Sequence, residues 1–495
     1  MGSNAIRLSV GKVDKDQKVA QVENFREAVR LGRDVFANRA VSEPMMEEAT
    51  GAFRKFREIM DRSGVKWSKA VATSAIREAT NRETFIDRMQ QASGINIDVI
   101  TSEEEARLIF LAVSGEVNLR KKTALLLDIG GGSIKITLTI DGSIISAESF
   151  RLGSVRLLQL LEEERNGEKK FNQLVREYVD AAQQRLKREI GGRKIDVCVA
   201  TGGSMETLAT IRKDLFNKER DSTVGSPELD SMVRKLASLS FEERVSQFRL
   251  RPDRADVIVP AAIIVQELVR IAKVEEIVVP RVGLKDGIIL DLCEGLFGNP
   301  ERTDREQVLT SALQIGRKYS FDEQHGMTVA RLALQLFDMG KSLHNLPLEN
   351  RLLLEVAAML HDVGSFIGMT AHHKHTLYLL TANPVIGLNE SKMAVVANVA
   401  RYHRKSIPKM QHEQFRVLPP RDRILVSKLA AMLRLADALD TEHASRVESF
   451  SLDYRKPKLV IRLQGVGDLM LEKFALIRKA DLFEEVFGVK VSVED

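Results

Sequence analysis

The pattern of apolar and polar positions predicts an α/β chain over the first 300 residues and a helical one beyond. Strand-like runs are Ile6–Val13 and Lys18–Val22 (as a hairpin), Lys69–Ile76 ending at Arg77, Ile97–Ile100, Thr123–Leu127, Ile134–Ile140, further strands to Phe150, Ile195–Ala200 and Glu276–Val279. Helical periodicity fills the intervals: Ser42 to Ser63, with Ser42 as cap and Gly64 as stop, then Glu83–Ser93, Leu108–Val113, Phe171–Glu189, Pro227–Phe248 and Arg254–Ala272. Gly283-Leu-Lys-Asp-Gly287 opens the helix that closes this part. Pro300 and the charged run Glu301–Glu306 mark a boundary. Helices Glu323–Phe337, Leu352–Leu360 and Leu425–Leu439 follow, then strands Val447–Leu452, Lys458–Leu463 and Val489–Val493 around a helix Leu469–Val486. The expected division is 1–120 and 121–300 as two lobes, 301–445 as a helical domain, and 446–495 as a small α/β cap.

The chemistry concentrates in Leu125-Leu-Leu-Asp-Ile-Gly-Gly-Gly-Ser133. A buried strand ends in an acid, and three glycines let the backbone turn and bring bare N–H groups to a ligand. Successive N–H groups in such a turn form a concavity suited to phosphate. The strand resumes at Ile134, so the loop is a hairpin turn and matches neither a Walker nor a dinucleotide-binding loop. Gly202-Gly-Ser204 ends a second such strand, but a helix follows, so a phosphate there also meets a helix N-terminus. Gly2-Ser3-Asn4 is a third candidate, with no strand and no acid before it. Gly153 and Ser154 stand where a strand turns into a helix, positioned to offer two more N–H groups. Three phosphate loops set between strands resemble the actin-like, sugar-kinase and heat-shock ATPase superfamily, in which two lobes clasp phosphates. Glu105 has two readings. Ser102 and Glu105 have capping-box spacing, but Thr101 and Glu104 have it too, which leaves Glu105 open to act as a general base at a strand–helix junction.

Composition narrows the class. The 495 residues are 44% hydrophobic and 29% charged, ordinary for a soluble protein with large cores. A net charge of +5 suits a polyanionic ligand without arguing for nucleic acid. Cys198 and Cys293 lie in apolar surroundings and read as reduced core residues. No run is long and apolar enough for a membrane span, and the start lacks a signal-peptide layout, so the expected location is cytoplasmic. All nine histidines lie beyond residue 320. Among them His325 and the pair His361-Asp362, with Asp437, can close on one Zn²⁺, Mn²⁺ or Fe ion; His372, His373, His375 and His403 follow close behind.

Taken together, the motifs resemble the exopolyphosphatase/guanosine pentaphosphate phosphohydrolase family. Gly2-Ser-Asn, Thr73-Ser-Ala-Ile-Arg77-Glu-Ala, Glu104-Glu105-Ala-Arg-Leu, Asp128-Ile-Gly-Gly-Gly-Ser, Thr201-Gly-Gly-Ser and Gly283-Leu-Lys-Asp-Gly stand in that family's order. His361-Asp362, His372-His-Lys-His and Arg434-Leu-Ala-Asp-Ala-Leu-Asp look like the HD-type domain of its longer members. The resemblance implies a two-lobed actin-like (ribonuclease H-like) α/β fold followed by an all-α HD-type domain and a small α/β cap. It implies a Mg²⁺-dependent exopolyphosphatase acting by water attack between the lobes, with guanosine pentaphosphate hydrolysis as the alternative substrate assignment. Other readings are a metal-dependent phosphohydrolase in the HD-type domain or an alarmone-binding regulator. In the first reading Glu105 is the general base, Asp128 holds Mg²⁺, and Arg77 balances charge on the phosphoryl group. Gly2, Ser3, Asn4, Gly130, Gly131, Gly132, Ser133, Gly153, Ser154, Gly202, Gly203, Ser204 and Lys285 grip phosphates. His325, His361, Asp362 and Asp437 form a possible second metal site. A homodimer is implied, with no nucleic-acid or membrane partner. Three departures stand out: the acid that the family places two residues before Gly2 has no counterpart, Lys285 stands where Arg is usual, and no adenosine pocket is legible at the second glycine loop, so ATP use is not implied.

Overall fold

The computed structural model describes residues 1–14, 19–160, 168–218, 222–297, 300–455 and 457–494. It divides into two compact units, Met1–Pro300 and Glu301–Asp495. The strands of the first unit are Ile6–Val13 (β1), Val19–Glu27 (β2), Ala70–Ala72 (β3), Ile97–Val99 (β4), Thr123–Ile129 (β5), Ile134–Ile140 (β6), Ser143–Phe150 (β7), Val197–Thr201 (β8), Thr223–Gly225 (β9) and Glu276–Val278 (β10). Strands β1 and β2 form an antiparallel pair, and β3 and β4 a parallel one. The main sheet has the order β7-β6-β5-β8-β10-β9: an antiparallel meander β5-β6-β7 continues into parallel neighbours β5, β8 and β10.

Strand β5 is covered on both faces, which is why it reads as an unbroken apolar run. Leu125, Leu127 and Ile129 enter one core, and Ala124 and Leu126 enter another beneath the helix Ser102–Glu116, which contributes Ile109 and Val113. The two-residue alternation therefore turns Asp128 toward that helix. Glu105 stands one turn before Ile109 and two before Val113 on the same stripe.

Several expectations are corrected. The run Lys69–Ile76 is a strand only over Ala70–Ala72; the helix Ser74–Glu78 follows and carries Arg77. Its partner β4 is equally short, and the Thr73 and Arg77 N–H groups go to the carbonyls of Met1 and Thr73. Pro227–Phe248 is two helices, Ser226–Ala237 and Phe241–Phe248, because Ser240 and Glu243 form a complete capping box between them. Ser42 stands at the start of Glu43–Arg62, but its hydroxyl is bonded to Asp34 and does not cap. Lys18 lies outside the described residues; β2 runs on to Glu27. Burial pushes the Cys198 thiol up to about 12, consistent with an inert core cysteine.

The closing helix Leu284–Phe297 packs on Ser102–Glu116, with Asp291 ion-paired to Arg107 and to Lys69. Gly287 makes that approach possible, since a β-carbon there would land on the carbonyl oxygen of Leu108. Gly287→Ala is therefore expected to cost about 3 kcal/mol through a backbone clash that no rotamer relieves. Gly295→Ala on the same helix, where a β-carbon meets nothing within 4 Å, should leave the thermal midpoint unchanged or slightly raised. Thermal unfolding of the two variants side by side checks this.

The helix Pro300–Lys318 starts at the boundary, and the second unit continues through Glu323–Met339, Glu349–Leu360, His372–Ala382, Glu390–Arg401 and Pro420–Ala438. A sheet of order β11-β12-β13 follows, formed by Val447–Arg455 (β11), Lys458–Gly465 (β12) and Lys490–Glu494 (β13). The expected single helix Leu469–Val486 is broken at Ala480 into Met470–Lys479 and Asp481–Phe487. Among the described residues no helix is long and apolar enough to cross a membrane.

Candidate functional site

Two clusters of chemistry-bearing side chains form, one in each unit. The first lies at the C-terminal ends of β5 and β8, the usual ligand edge of parallel strands. Asp128 and Thr201 are register partners, and the Thr201 hydroxyl donates to Asp128 Oδ1 at 3.0 Å. Capping is resolved as well: Thr101 Oγ1 accepts from the Glu104 N–H at 3.2 Å, so Glu105 caps nothing. Glu105 is buried and its Oε1 lies 2.8 Å from Lys135 Nζ. Its Oε2 lies 3.8 Å from Arg77 and has no hydrogen-bond partner among the described residues. Arg77 itself is anchored to the Ile100 carbonyl at 2.6 Å.

Lys135 was not singled out from sequence, although it stands directly opposite Asp128 in the β5–β6 register. Its Nζ is 3.3 Å from Asp128 Oδ2 and 3.5 Å from Ser133 Oγ. Burial acts to lower its pKa, but Glu105 and Asp128 outweigh burial and hold the ammonium above its ordinary value. Asp128, expected to hold Mg²⁺, meets an ammonium in this structure. Two carboxylates face two cations, Lys135 and Arg77, and the ammonium takes the space between the acids. The residues present do not fit a divalent ion at Asp128.

The expected loops converge around Gly132. A β-carbon there would strike the Ser74 hydroxyl and the Phe36 ring and reach Ser3 Oγ at 2.8 Å, and Ser3 and Ser74 are themselves 3.1 Å apart. Arg156 fixes the loop by donating to the Gly132 carbonyl at 2.8 Å while pairing with Glu78 and stacking on Phe36. Not every loop N–H is available. Gly2 donates to Ala5, Gly130 to Ser133, and Ser154 to Gly130 at 3.2 Å, which corrects the expectation that these three groups grip phosphate. Gly131, Gly132, Ser133 and Gly153 donate to no protein acceptor among the described residues. Gly202 takes φ +98, a conformation that favours glycine. Beside Gly203 stand two further cations that sequence did not suggest: Arg254, which donates to Ser204 Oγ at 2.9 Å, and Arg7. Burial and the neighbouring Arg7 push the Arg254 guanidinium down to about 10, and its Nε is buried without a partner among the described residues. Asn4 points to Asp253 and Lys285 pairs with Asp286 at 2.9 Å, both outside the Glu105–Lys135–Asp128 cluster.

The second cluster unites His325, His361, Asp362 and Asp437 as expected, and adds His372 and His403. Asp362 Oδ1 lies 3.0 Å from His372 Nε2, 3.2 Å from His403 Nε2 and 3.8 Å from His361 Nε2. Asp437 Oδ1 lies 3.6 Å from His361 Nε2 and 3.8 Å from His325 Nε2. Every one of these rings spends its Nδ1 on an outer oxygen: His325 on Asp440 at 2.8 Å, His361 on the Ala358 carbonyl at 2.7 Å, His372 on the Met369 carbonyl at 3.2 Å and His403 on the Ala400 carbonyl at 2.7 Å. That arrangement turns four Nε2 atoms inward, and pairs of them meet at 3.2 and 3.0 Å. Two acceptors facing one another call for a cation between them. Two candidate ligand groups result, His325–His361–Asp362 and Asp362–His372–His403, sharing one carboxylate.

A mixed sheet flanked by helices, with phosphate-type loops at its strand ends, defines an actin-like fold. Comparisons give the family. The description "Ppx/GppA phosphatase family" matches residues 10–295, and its domain III matches residues 309–486. A guanosine-5'-triphosphate,3'-diphosphate pyrophosphatase of Vibrio vulnificus is 24% identical over 83% of this chain and 81% of its own length. An exopolyphosphatase from Cytophaga hutchinsonii superposes with a TM-score of 0.55 at 24% identity, over 60% of this chain and 96% of the other. The Aquifex aeolicus family member does so with a TM-score of 0.50 at 25% identity, over 60% and 96%. The chain belongs to the Ppx/GppA phosphatase family and is a hydrolase of the phosphatase class. Members of the family generally depend on a divalent metal.

Proposed function

We propose that the first unit hydrolyses the terminal phosphoanhydride of inorganic polyphosphate, with guanosine pentaphosphate as the alternative substrate. The observation that carries this is Glu105 Oε2, a buried carboxylate oxygen beside a glycine loop, where neither that oxygen nor the loop's N–H groups at Gly131, Gly132, Ser133 and Gly153 have a partner among the described residues. In the step, a water oxygen forms a bond to the terminal phosphorus and the bridging P–O bond breaks. The water proton passes to Glu105 Oε2, and the leaving chain keeps the bridging oxygen as an anion. Lys135 and Arg77 face the growing charge, while Gly131, Gly132, Ser133 and Gly153 orient the terminal phosphate. Arg7 and Arg254, beside Gly203 and Ser204, are suited to the remainder of the polyanion. This reading carries with it the division into two lobes, helical domain and cap, a cytoplasmic location and a homodimer. Orthophosphate release from long-chain polyphosphate and from guanosine pentaphosphate tests it, and the ratio of the two kcat/KM values names the substrate. Activity on polyphosphate at least equal to that on guanosine pentaphosphate is expected; release from neither would sink the proposal.

A second reading is favoured by the inward-facing histidines. We infer that the second unit is an HD-type metal centre held by His325, His361, Asp362 and Asp437, with His372 and His403 extending it. The donor set fits Zn²⁺, Mn²⁺ or Fe. A metal bound there supplies Lewis acidity toward a phosphoryl oxygen or a bound water. The outer oxygens of Asp440, Ala358, Met369 and Ala400 hold the four rings in the required tautomer.

A further inference from the structure

We infer that Lys135 is the resident cation of the phosphate cleft, so that the cleft takes and cuts a phosphate chain with no divalent ion at Asp128. The inference rests on the reading of this cleft as the seat of the phosphate chain.

Position carries the first part. Lys135 is 3% exposed and lies in β6, between β5 and β7, so its backbone is fixed by ladders on both sides. The β6 sequence Ile134-Lys-Ile-Thr-Leu-Thr-Ile140 alternates strictly. Ile134 and Ile136 enter the core that holds Leu125, Leu127 and Ile129, while Lys135 faces the other way, with Asp128. A four-residue turn, Gly130–Ser133, sets Lys135 directly across from Asp128. The ammonium therefore has acceptors at 2.8 Å (Glu105), 3.3 Å (Asp128) and 3.5 Å (Ser133). It bridges both acids, the position an ion shared between them would take.

Charge carries the second part. Magnesium is usually held by one or two carboxylates together with substrate phosphates. Here Asp128 and Glu105 contribute two negative charges, and Lys135 and Arg77 cancel them. Asp128 Oδ1 is further occupied by Thr201. A divalent ion entering at Asp128 would have to displace a buried ammonium that keeps, among the described residues, no acid within reach besides Glu105. An arriving phosphate chain has no such conflict, because lysine is itself a phosphate ligand acting as a point charge. It also leaves Glu105 Oε2 open for the water proton, since Lys135 holds the other oxygen. The bond changes are those given above: one P–O bond forms from water, one bridging P–O bond breaks, and the proton rests on Glu105.

The test compares orthophosphate release from long-chain polyphosphate by the full chain in EDTA and in Mg²⁺, for the wild type and Glu105→Gln. Calorimetric binding of sodium tripolyphosphate by the wild type and Lys135→Glu accompanies it. The expected result is wild-type release in EDTA of the same order as in Mg²⁺, lost in Glu105→Gln. Lys135→Glu should bind tripolyphosphate in EDTA at least ~10-fold more weakly and recover in Mg²⁺, because reversing the charge gathers three carboxylates into a metal site. A purely structural lysine would not create that new metal requirement. Release that needs Mg²⁺ and is lost in Glu105→Gln overturns the inference and leaves the cleft reading standing. Release indifferent to Glu105→Gln, or none under either condition, removes the cleft reading and the inference with it. Should Lys135→Glu fail to fold, the wild-type comparison decides alone.

Discussion

Glu105→Gln is expected to lower kcat for orthophosphate release by about 10³-fold while leaving KM nearly unchanged, the loss typical of removing a positioned general base. The amide preserves the volume of a side chain that is only 5% exposed, and its oxygen can still accept from Lys135 where Glu105 Oε1 now does. Binding should change little, because the glycine loop and the arginines at Gly203 do not touch Glu105 and the amide oxygen keeps Lys135 in place. A split between kcat and KM therefore separates lost chemistry from a disturbed cleft. Glu105→Ala is the harsher variant. It leaves Lys135 with Asp128 as its remaining acid in a buried site, and breaking a buried pair in that way costs about 3–5 kcal/mol where no partner remains and less where one does. Its thermal midpoint should fall, whereas that of Glu105→Gln should hold. Wild-type turnover in the folded Glu105→Gln protein would remove Glu105 from the reaction.

What was legible in the sequence follows from how local each feature is. Asp128 and its glycines sit within one hairpin, so apolar run, acid and turn could all be read together. Glu105 could be recognised at its strand–helix junction, but its freedom from capping depended on Thr101 taking the Glu104 N–H. Lys135 escaped notice because a lysine in a strand reads as a solvent-facing position. The strict alternation of Ile134–Ile140 and the four-residue turn were the available signal, and together they set Lys135 opposite Asp128. Arg7 and Arg254 offered no local signal, since nearly 250 residues separate two side chains that meet at Gly203. In the second unit the adjacent His361-Asp362 was conspicuous. Within His372-His-Lys-His only the start of the helix decides which ring turns inward: His372 meets Asp362, while burial and the neighbouring His403 and His372 push His373 down to about 4.

The largest effect expected in the second unit is loss of metal from Asp362→Ala. Asp362 is the carboxylate common to both ligand groups, so its removal takes an anion from each at once and leaves Asp437 beside His325 and His361 alone. Elemental analysis of the purified full chain should find Zn, Mn or Fe at no less than stoichiometric amount, and Asp362→Ala should fall to background. A graded variant guards against misfolding as the cause. Asp440→Asn keeps the side-chain volume while weakening the contact that orients His325, its other oxygen serving the Ser445 N–H, and loss of such an outer partner typically weakens metal binding by about 10–100-fold without abolishing it. Chelation supplies an independent readout on the unmutated protein. A metal present at about 100 times its Kd stabilises the folded state by about 2.7 kcal/mol, so stripping it should lower the thermal midpoint of the wild type and barely move that of Asp362→Ala. Wild-type protein that carries no metal above background and is indifferent to chelator would reduce the cluster to a hydrogen-bonded core, with Asp362 joining His361, His372 and His403.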